Sequence, residues 1–353
     1  TISAASVSGG MGIYARNRGA GDLSLTATGS VTGTTGNGIF AMNDSTGENL
    51  DITVGDVTGA IDGIDAKNRG TGALLVTATG TVTGTGGDGV FAANNGTDLT
   101  ISTASVSGDS KGIYARNYGS GALAIRSTGD VTGVFDDGIS ARNEGTDLTI
   151  FTALVSGETN GIYARNNGNG DLSVTATGSV TGKYGRGIYA NNYSSSGVGR
   201  LVIDVAAVTG ATEGVVAVNN GTGDLSVTAT GTVTGTSGYG IAANNSYSGT
   251  DLTITTAAVS GGSKGIIAQN NGSGALSITS TGDVTGDTYQ GIFALNWGTD
   301  LTITTASVSG ETDGIAAQNI GGALSIRSTD DVTGHFDYGI KARNSGGDLT
   351  ISA

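Results

Sequence analysis

A six-residue phrase, Gly-[Ile/Val]-x-Ala-x-Asn, recurs along the chain and constrains the fold more than any other feature. One copy spans residues 161–166 and reads GIYARN. Fourteen copies occur, 23 to 27 residues apart, with their asparagines at Asn17, Asn43, Asn68, Asn94, Asn117, Asn143, Asn166, Asn192, Asn219, Asn245, Asn270, Asn296, Asn319 and Asn344. A near-constant period of this length is typical of a stacked repeat protein. Because such proteins grow along one axis, we expect a single repeat domain over residues 1–353.

Each repeat contains three short apolar stretches separated by turns rich in Gly, Thr and Asn. In residues 98–117, Leu99 begins an alternating apolar and polar stretch, Val106 lies in a very short second stretch, and Ile113 begins a third. Such alternation indicates half-buried strands, and no helical periodicity is present. Three strands in about 25 residues match one coil of a parallel β-helix. The sequence therefore predicts an all-β fold, a β-solenoid of about fourteen coils.

The coils alternate between two lengths. The first-strand Leu and second-strand Val are eight residues apart in one kind, as in Leu74 and Val82, and seven apart in the other, as in Leu99 and Val106. The full repeat is thus a pair of coils of about 50 residues, and seven pairs account for the chain. Since the inward columns must stay in register, we expect the extra residue to form a bulge at a corner.

Several columns of like residues are predicted to be structural. Leu, Ile and Val of the first strand, Val of the second, and Ile or Val with Ala of the third should face inward, and the narrow Ala column leaves no room for a larger side chain. The asparagines, expected just after the third strand, tolerate left-handed backbone and can form a ladder through their amides. The Gly that opens each phrase is predicted to be a turn residue.

The outward positions of the third strand carry aromatic and arginine side chains. A candidate contact face consists of Tyr14, Arg16, Tyr114, Arg116, Tyr163, Arg165 and Tyr189. Tyrosine and arginine dominate binding hot spots, so the face could meet a partner. Stacked aromatic and cation–π pairs between coils would equally stabilise the solenoid without any partner. The sequence is compatible with both interpretations.

No set of residues in the chain suits catalysis. Cysteine is absent, and the single histidine, His335, lies at a corner where the sister copy four pairs earlier has Val134, so nucleophilic and histidine-based metal chemistry have no support. Aspartates that precede the first-strand Leu, such as Asp98 and Asp147, recur evenly, which indicates an architectural role. We therefore expect no enzyme activity and no cofactor. Calcium is left open at acidic corners that contain Asp136, Asp137, Glu311 and Asp313.

The overall charge limits the partners. The net charge is −14 and the isoelectric point about 4.2, which disfavours nucleic acid and anionic membrane surfaces. No apolar run approaches the roughly 18 residues of a transmembrane helix, so membrane insertion by this segment is not expected.

Three recurring phrases, GIYARNxG, VTATGxVTG and DLTIxTAxVSG, resemble the passenger repeats of bacterial autotransporters and related large exported adhesins. The resemblance covers essentially the whole chain. It implies a right-handed parallel β-helix displayed on the outer surface of Gram-negative bacteria. It further implies a non-enzymatic structural or adhesive protein, such as a stalk, a fibre or a biofilm component, that meets a host or neighbouring cell surface. No binding residue of the family can be carried over, because adhesive passengers share no common binding motif.

Two other functions are compatible with the sequence. Residues 1–4 and 349–353 are in the same phase and no capping repeat is visible, so we expect a solenoid that is uncapped at both ends. Such a chain is either a segment of a longer array or a filament subunit that stacks end to end. The first-strand Ser/Thr columns, which include Thr100 and Ser102, are similar to the Thr arrays of β-helical ice-binding proteins. Charged and bulky residues, among them Arg126 and Phe151, interrupt those columns and argue against a flat ice-matching surface.

Overall fold

The computed structural model describes residues 1–193 and 199–353, and within these ranges the chain contains strands and turns but no helix. It divides into two compact units, residues 1–170 with 176–178, and residues 171–175 with 179–353. Each unit is a parallel β-solenoid built on seven copies of the phrase. The predicted fold class, an all-β solenoid of about fourteen turns, is confirmed.

The coils between residues 1 and 166 contain three kinds of strand. First strands are Ile2–Ala4, Gly21–Ala27, Gly47–Val54, Leu74–Gly84, Leu99–Gly108, Leu123–Ser127 and Leu148–Thr152, of which Leu74–Gly84 and Leu99–Gly108 continue through the second strand. Separate second strands are Val7–Gly9, Val31–Gly33, Val57–Gly59, Val131–Gly133 and Val155–Gly157. Third strands are Ile13–Asn17, Ile39–Asn43, Ile64–Asn68, Val90–Asn94, Ile113–Asn117, Ile139–Asn143 and Ile162–Asn166.

The coils from residue 172 onward repeat this plan. First strands are Leu172–Ala176, Leu201–Val205, Leu225–Ala229, Leu252–Thr256, Leu276–Ser280, Leu301–Thr305, Leu324–Ser328 and Leu349–Ser352. Second strands are Val180–Gly182, Val208–Gly210, Val233–Gly235, Val259–Gly261, Val284–Gly286, Val308–Gly310 and Val332–Gly334. Third strands are Ile188–Asn192, Val215–Asn219, Ile241–Asn245, Ile266–Asn270, Ile292–Asn296, Ile315–Asn319 and Ile340–Asn344.

Like residues stack on like residues from coil to coil. First and second strands pair in parallel with their counterparts in one sheet, and third strands pair in another. In the first unit Leu99 lies opposite Leu123, and Ile113 lies opposite Ile139. In the second unit Leu225 lies opposite Leu252. This register keeps every apolar column facing the core, because a slip of one residue would turn the whole column outward.

The predicted corner bulge is present in the long coils. Between the coils of Leu74 and Leu99, the strands are in register from Leu74 to Ala78 and again from Thr81 onward, with a shift of one residue between Ala78 and Thr81. Val82 nevertheless lies opposite Val106. The extra residue is therefore absorbed at the corner, and the inward Leu and Val columns remain aligned.

The inward columns are buried as predicted. Leu99, Ile101, Ile113 and Ala115 are all 0% exposed.

The structure adds a column that the sequence analysis missed, formed by buried Ser or Thr at the end of the first strand. Its residues are Thr103, Ser127, Thr152, Thr256, Ser280, Thr305 and Ser328. Five of these hydroxyls bond across coils or to the backbone, as in Thr103 Oγ1 to Ser127 Oγ at 3.2 Å, whereas the hydroxyls of Thr152 and Thr256 are buried without a partner.

The asparagine ladder is confirmed. Amide-to-amide bonds of 2.8 to 3.3 Å join Asn17 to Asn43, Asn68 to Asn94, Asn94 to Asn117, Asn117 to Asn143 and Asn143 to Asn166, and in the second unit Asn192 to Asn219, Asn219 to Asn245, Asn245 to Asn270, Asn270 to Asn296, Asn296 to Asn319 and Asn319 to Asn344. At Asn43 the pattern differs, because the Nδ2 of this residue donates to the Asn49 carbonyl. Each Nδ2 also donates to a carbonyl just downstream in its own coil, as Asn117 does to Gly121, which closes the turn.

Two predictions about this phrase were wrong in detail. The asparagines are the last residues of the third strands and not the residues after them, because backbone pairing continues through them. No described residue other than glycine has a positive φ, so the left-handed region plays no part in their selection. The Gly that opens the phrase is needed because a side chain would not fit at this position. A Cβ on Gly89 would lie 2.4 Å from Val106 Cγ1 and 2.7 Å from the Gly112 carbonyl oxygen.

Candidate functional site

The second and fourth residues of the third strands point away from the core and form what we call the outer face. In the first unit the second position carries Tyr14, Phe40, Asp65, Phe91, Tyr114, Ser140 and Tyr163. The fourth position carries Arg16, Met42, Lys67, Ala93, Arg116, Arg142 and Arg165. Six of the seven candidate contact residues belong to this set. Strand register aligns them in two columns, because equivalent residues of neighbouring coils lie directly opposite each other.

Contacts between coils occupy the first part of this face. The rings of Tyr14 and Phe40 stack with centroids 5.1 Å apart and planes 8° from parallel. Arg16 Nε donates to Asp44 Oδ2 at 3.1 Å, and its Nη2 lies 2.9 Å from the same oxygen. The coil-to-coil interpretation of the aromatic and arginine columns therefore holds for these residues. The Asp44 carboxylate also neutralises the positive charge of Arg16.

An ion pair replaces the aromatic residue in the third coil. Lys67 Nζ lies 2.9 Å from Asp65 Oδ2 and 5.4 and 5.0 Å from the ring centroids of Phe40 and Phe91. Asp65 is 6% exposed, and its Oδ1 is buried without a hydrogen-bond partner. Burial raises the pKa of Asp65 above its ordinary 3.8, against the opposing effect of Lys67. Lys67 thus pairs with a carboxylate whose burial is energetically costly, and the Lys67 ammonium lies near two aromatic rings.

The environment of Tyr114 is strongly cationic. Lys111 Nζ and Arg116 Cζ lie 5.0 and 4.5 Å from its ring centroid, and Phe91 meets the ring edge-on at 5.3 Å. Lys111 also forms an ion pair with Asp136. Burial alone would raise the pKa of Asp136, but hydrogen bonds from Lys111 and Thr159 outweigh it, so this pKa lies below 3.8.

A notch opens in the outer face where a serine replaces the aromatic residue. Ser140 lies between Tyr114 and Tyr163 in the strand register and is 9% exposed. The notch has a volume of about 200 Å³. Its walls include Lys111, Arg116, Arg142 and Arg165, and the three arginines occupy consecutive coils in register. This is the densest group of cationic side chains on the described outer face of the first unit.

The outer face of the second unit is more apolar. It begins with Tyr189, whose hydroxyl accepts a 3.1 Å hydrogen bond from Asn191 Nδ2 and whose ring lies 5.2 Å from Arg186 Cζ. Later coils carry Val216, Ala242, Ile267, Phe293, Ala316 and Lys341 at the same position. Smaller residues again leave notches, of about 140 Å³ beside Ala242 and about 180 Å³ beside Ala316.

The evenly spaced aspartates bond to the backbone of the next coil. Asp98 Oδ1 accepts a hydrogen bond from the Ala122 amide at 2.8 Å, and Asp300 Oδ1 accepts one from Ala323 at 2.8 Å. These bonds agree with the architectural role predicted for the series, because they satisfy amides at a turn. The acidic corner of Asp136 and Asp137 is similarly engaged, since Asp137 Oδ1 accepts from the Thr159 hydroxyl at 2.6 Å.

His335 packs edge-on against Phe336 with centroids 4.7 Å apart. Within residues 1–193 and 199–353, no group of three or more His, Cys, Asp or Glu is arranged to hold a metal ion. The described part of the chain has no helix long and apolar enough to cross a membrane. On the first-strand surface Arg126 Cζ lies 4.6 Å from the Phe151 ring centroid, where the Ser/Thr columns are interrupted. Ice binding stays a prediction.

A scan against models of protein families, a search of curated proteins and a search of solved structures each found no match for this chain.

Proposed function

We propose that this chain is part of a non-enzymatic extracellular protein with a structural or adhesive role at a bacterial cell surface. The observation behind the proposal is that the constant and the variable positions of the repeated phrase have different roles. Its Gly, Ile, Ala and Asn are committed to close packing, core and ladder, while its two variable positions form the outer face. The resemblance of the repeats to autotransporter passengers supports the same function.

The distribution of polar groups also favours structure over catalysis. The aspartates that recur along the chain accept backbone hydrogen bonds from the next coil, as Asp98 and Asp251 do from Ala122 and Ala275. Catalytic acids in glycan-cleaving enzymes instead converge as a pair on one bond. Carboxylates that recur along the chain and bond to the next coil stiffen an extended scaffold, which suits a stalk or fibre that carries an adhesive surface.

Labelling of intact cells tests the location. An antibody raised against the purified chain should label unpermeabilised cells of the bacterium that produces it. Labelling that appears only after permeabilisation would overturn the extracellular assignment. A cytoplasmic protein of the same organism, labelled in parallel, serves as the control for intact membranes.

Adhesion of coated beads tests the role. Beads that carry the purified chain should bind to bacterial or host cells more than beads that carry albumin. A chain with the outer-face residues Tyr114, Arg116 and Arg142 replaced by Ser, Gln and Gln should bind less. If wild-type beads bind no better than albumin beads while surface labelling succeeds, the role is structural and not adhesive.

A further inference from the structure

The notch at Ser140 is bounded by two tyrosines of the first unit's outer face. Tyr114 and Tyr163 are two coils apart, so their backbones are separated by about 9.6 Å. The small Ser140 lies between them, and its hydroxyl has no hydrogen-bond partner among the described residues. The notch of about 200 Å³ is smaller than the roughly 300–1,000 Å³ of drug-sized pockets. It suits a single ring-sized group lodged between the two tyrosines.

The electrostatics of the notch call for an anion. Arg116, Arg142 and Arg165 lie opposite one another in successive strands, and like charges placed this way repel. Arg142 Nη2 lies 2.8 Å from Glu144 Oε1. Arg116 donates to the Tyr118 hydroxyl at 3.0 Å and has no carboxylate partner among the described residues. Arg116 differs in this respect from Arg16, Lys67 and Arg142 of the same column, each of which contacts a carboxylate.

We propose that this notch binds an acidic polysaccharide, with one uronate ring between Tyr114 and Tyr163 and its carboxylate on the arginine column. The inference rests on the proposed surface role and names the class of partner. The planar guanidinium fork matches a carboxylate in bidentate geometry. Tyrosine offers an apolar ring and a hydroxyl to the sugar, and Ser140 offers a second hydroxyl.

The spacing of the arginines favours this ligand over nucleic acid. Guanidinium groups repeat once per coil, at about 4.8 Å, on a chain whose net charge is −14. Duplex DNA carries roughly one charge per 1.7 Å and would be repelled by the rest of the protein. A polyuronate carries one charge per sugar, and a short stretch of it meets the cationic notch without covering the acidic remainder of the surface.

Calorimetric titration of the full chain with trigalacturonate tests the proposal. Saturable binding is expected, and neutral maltotriose should bind at least tenfold more weakly. Raising the salt concentration should weaken trigalacturonate binding, because exposed ion pairs are screened. Absence of trigalacturonate binding would overturn the proposal, as would displacement by an equal concentration of inorganic phosphate, which would mark a simple anion site.

Two variants locate the binding. Ser140→Tyr fills the notch with a residue that the neighbouring coils carry at the same position, so the fold should survive, and Arg116→Gln removes a guanidinium. Each should weaken trigalacturonate binding at least tenfold. Ala316→Tyr fills the corresponding notch of the second unit and Arg16→Gln removes a guanidinium that Asp44 neutralises, so both controls should bind like wild type.

The outcomes separate this proposal from the surface role. Wild-type affinity in both Ser140→Tyr and Arg116→Gln, with unchanged circular dichroism, would place the ligand elsewhere and overturn the notch assignment. Successful surface labelling together with no trigalacturonate binding would refute the notch alone. A chain that labels only inside permeabilised cells yet binds trigalacturonate through Ser140 and Arg116 would refute the surface role alone.

Discussion

At the scale of single residues, the asparagines are chosen for their amides. Asn117 is 0% exposed, and its Nδ2 donates to Asn143 and to the Gly121 carbonyl while its Oδ1 accepts the Gly119 amide at 3.3 Å. The amide of each such asparagine makes the hydrogen bonds that water would otherwise make with several backbone groups of a turn. An apolar residue of similar size would leave those groups buried and unsatisfied, which costs more than the bond itself contributes.

Asn117→Ala should therefore lower the free energy of unfolding by about 1–3 kcal/mol, the usual cost of stranded buried polar groups. Chemical denaturation followed by circular dichroism measures the change. Asn95→Ala is the matched control, because Asn95 is exposed and its side chain makes no hydrogen bond within the described structure. Equal stability of Asn117→Ala and Asn95→Ala would contradict a stabilising ladder.

A second residue-scale effect concerns the buried carboxyl of Asp65. Because burial raises the pKa of Asp65 above 3.8, the folded chain holds this proton more tightly than the unfolded chain. The contribution of Asp65 to stability is complete below 3.8 and is lost as the pH rises from 3.8 through the raised pKa. Asp62 behaves in the same direction, again chiefly through burial.

Asp65→Asn should consequently change the pH profile of stability. Relative to this variant, the wild type should gain free energy of unfolding when the pH falls from neutral toward 4, since Asn cannot take up the proton. Thermal or urea unfolding across that range measures the difference. Asp130→Asn, at an exposed position, controls for the loss of a surface charge. A wild-type curve parallel to that of Asp65→Asn would contradict the raised pKa.

At the scale of the coil, the corners absorb differences in length while the strands do not. The long coil inserts its extra residue between Ala78 and Thr81, opposite a shorter corner in the next coil. Side chains alternate along the strands with a period of two, so the same insertion within a strand would reverse the column that follows. A change in length is therefore tolerated at a corner but not within a strand.

Deletion of Gly80 and deletion of Thr77 should differ sharply. Removing Gly80 shortens a long corner to the length already present in its neighbour, at a cost on the order of one hydrogen bond, about 1 kcal/mol. Removing Thr77 shifts the strand and turns buried positions toward solvent, so this variant should lose the cooperative transition. Thermal melts monitored by circular dichroism compare them. Equal loss of stability in both deletions would show that corner length is as constrained as register.

At the scale of the whole molecule, stability comes from repeated contacts between adjacent coils. In each unit a coil pairs with the one before it and the one after it, as Ile113–Asn117 pairs with Val90–Asn94 and Ile139–Asn143. Solenoids built in this way behave approximately as a sum of coil stabilities and neighbour terms. No distant part of the chain is needed to complete the core of a given coil.

Residues 1–170 expressed alone should therefore fold. We expect a β-rich circular dichroism spectrum and a cooperative thermal transition, because the fragment retains seven copies of the phrase with their neighbours. The same fragment without Thr77 is the matched control for disrupted register. An unstructured fragment would show that the first unit depends on contacts outside itself.

The sequence by itself determined the architecture, because a period near 25 residues and alternation within each stretch leave few ways to bury the apolar columns. It specified the strand positions, the inward Leu, Val, Ile and Ala, and the asparagine ladder. Tertiary structure decided what depends on neighbouring coils. The buried hydroxyl column, the tight space at Gly89 and the burial of Asp65 all arise from residues some 25 positions apart. The notch at Ser140 is the clearest case, since a serine is informative only when tyrosines lie above and below it and arginines line up beside it.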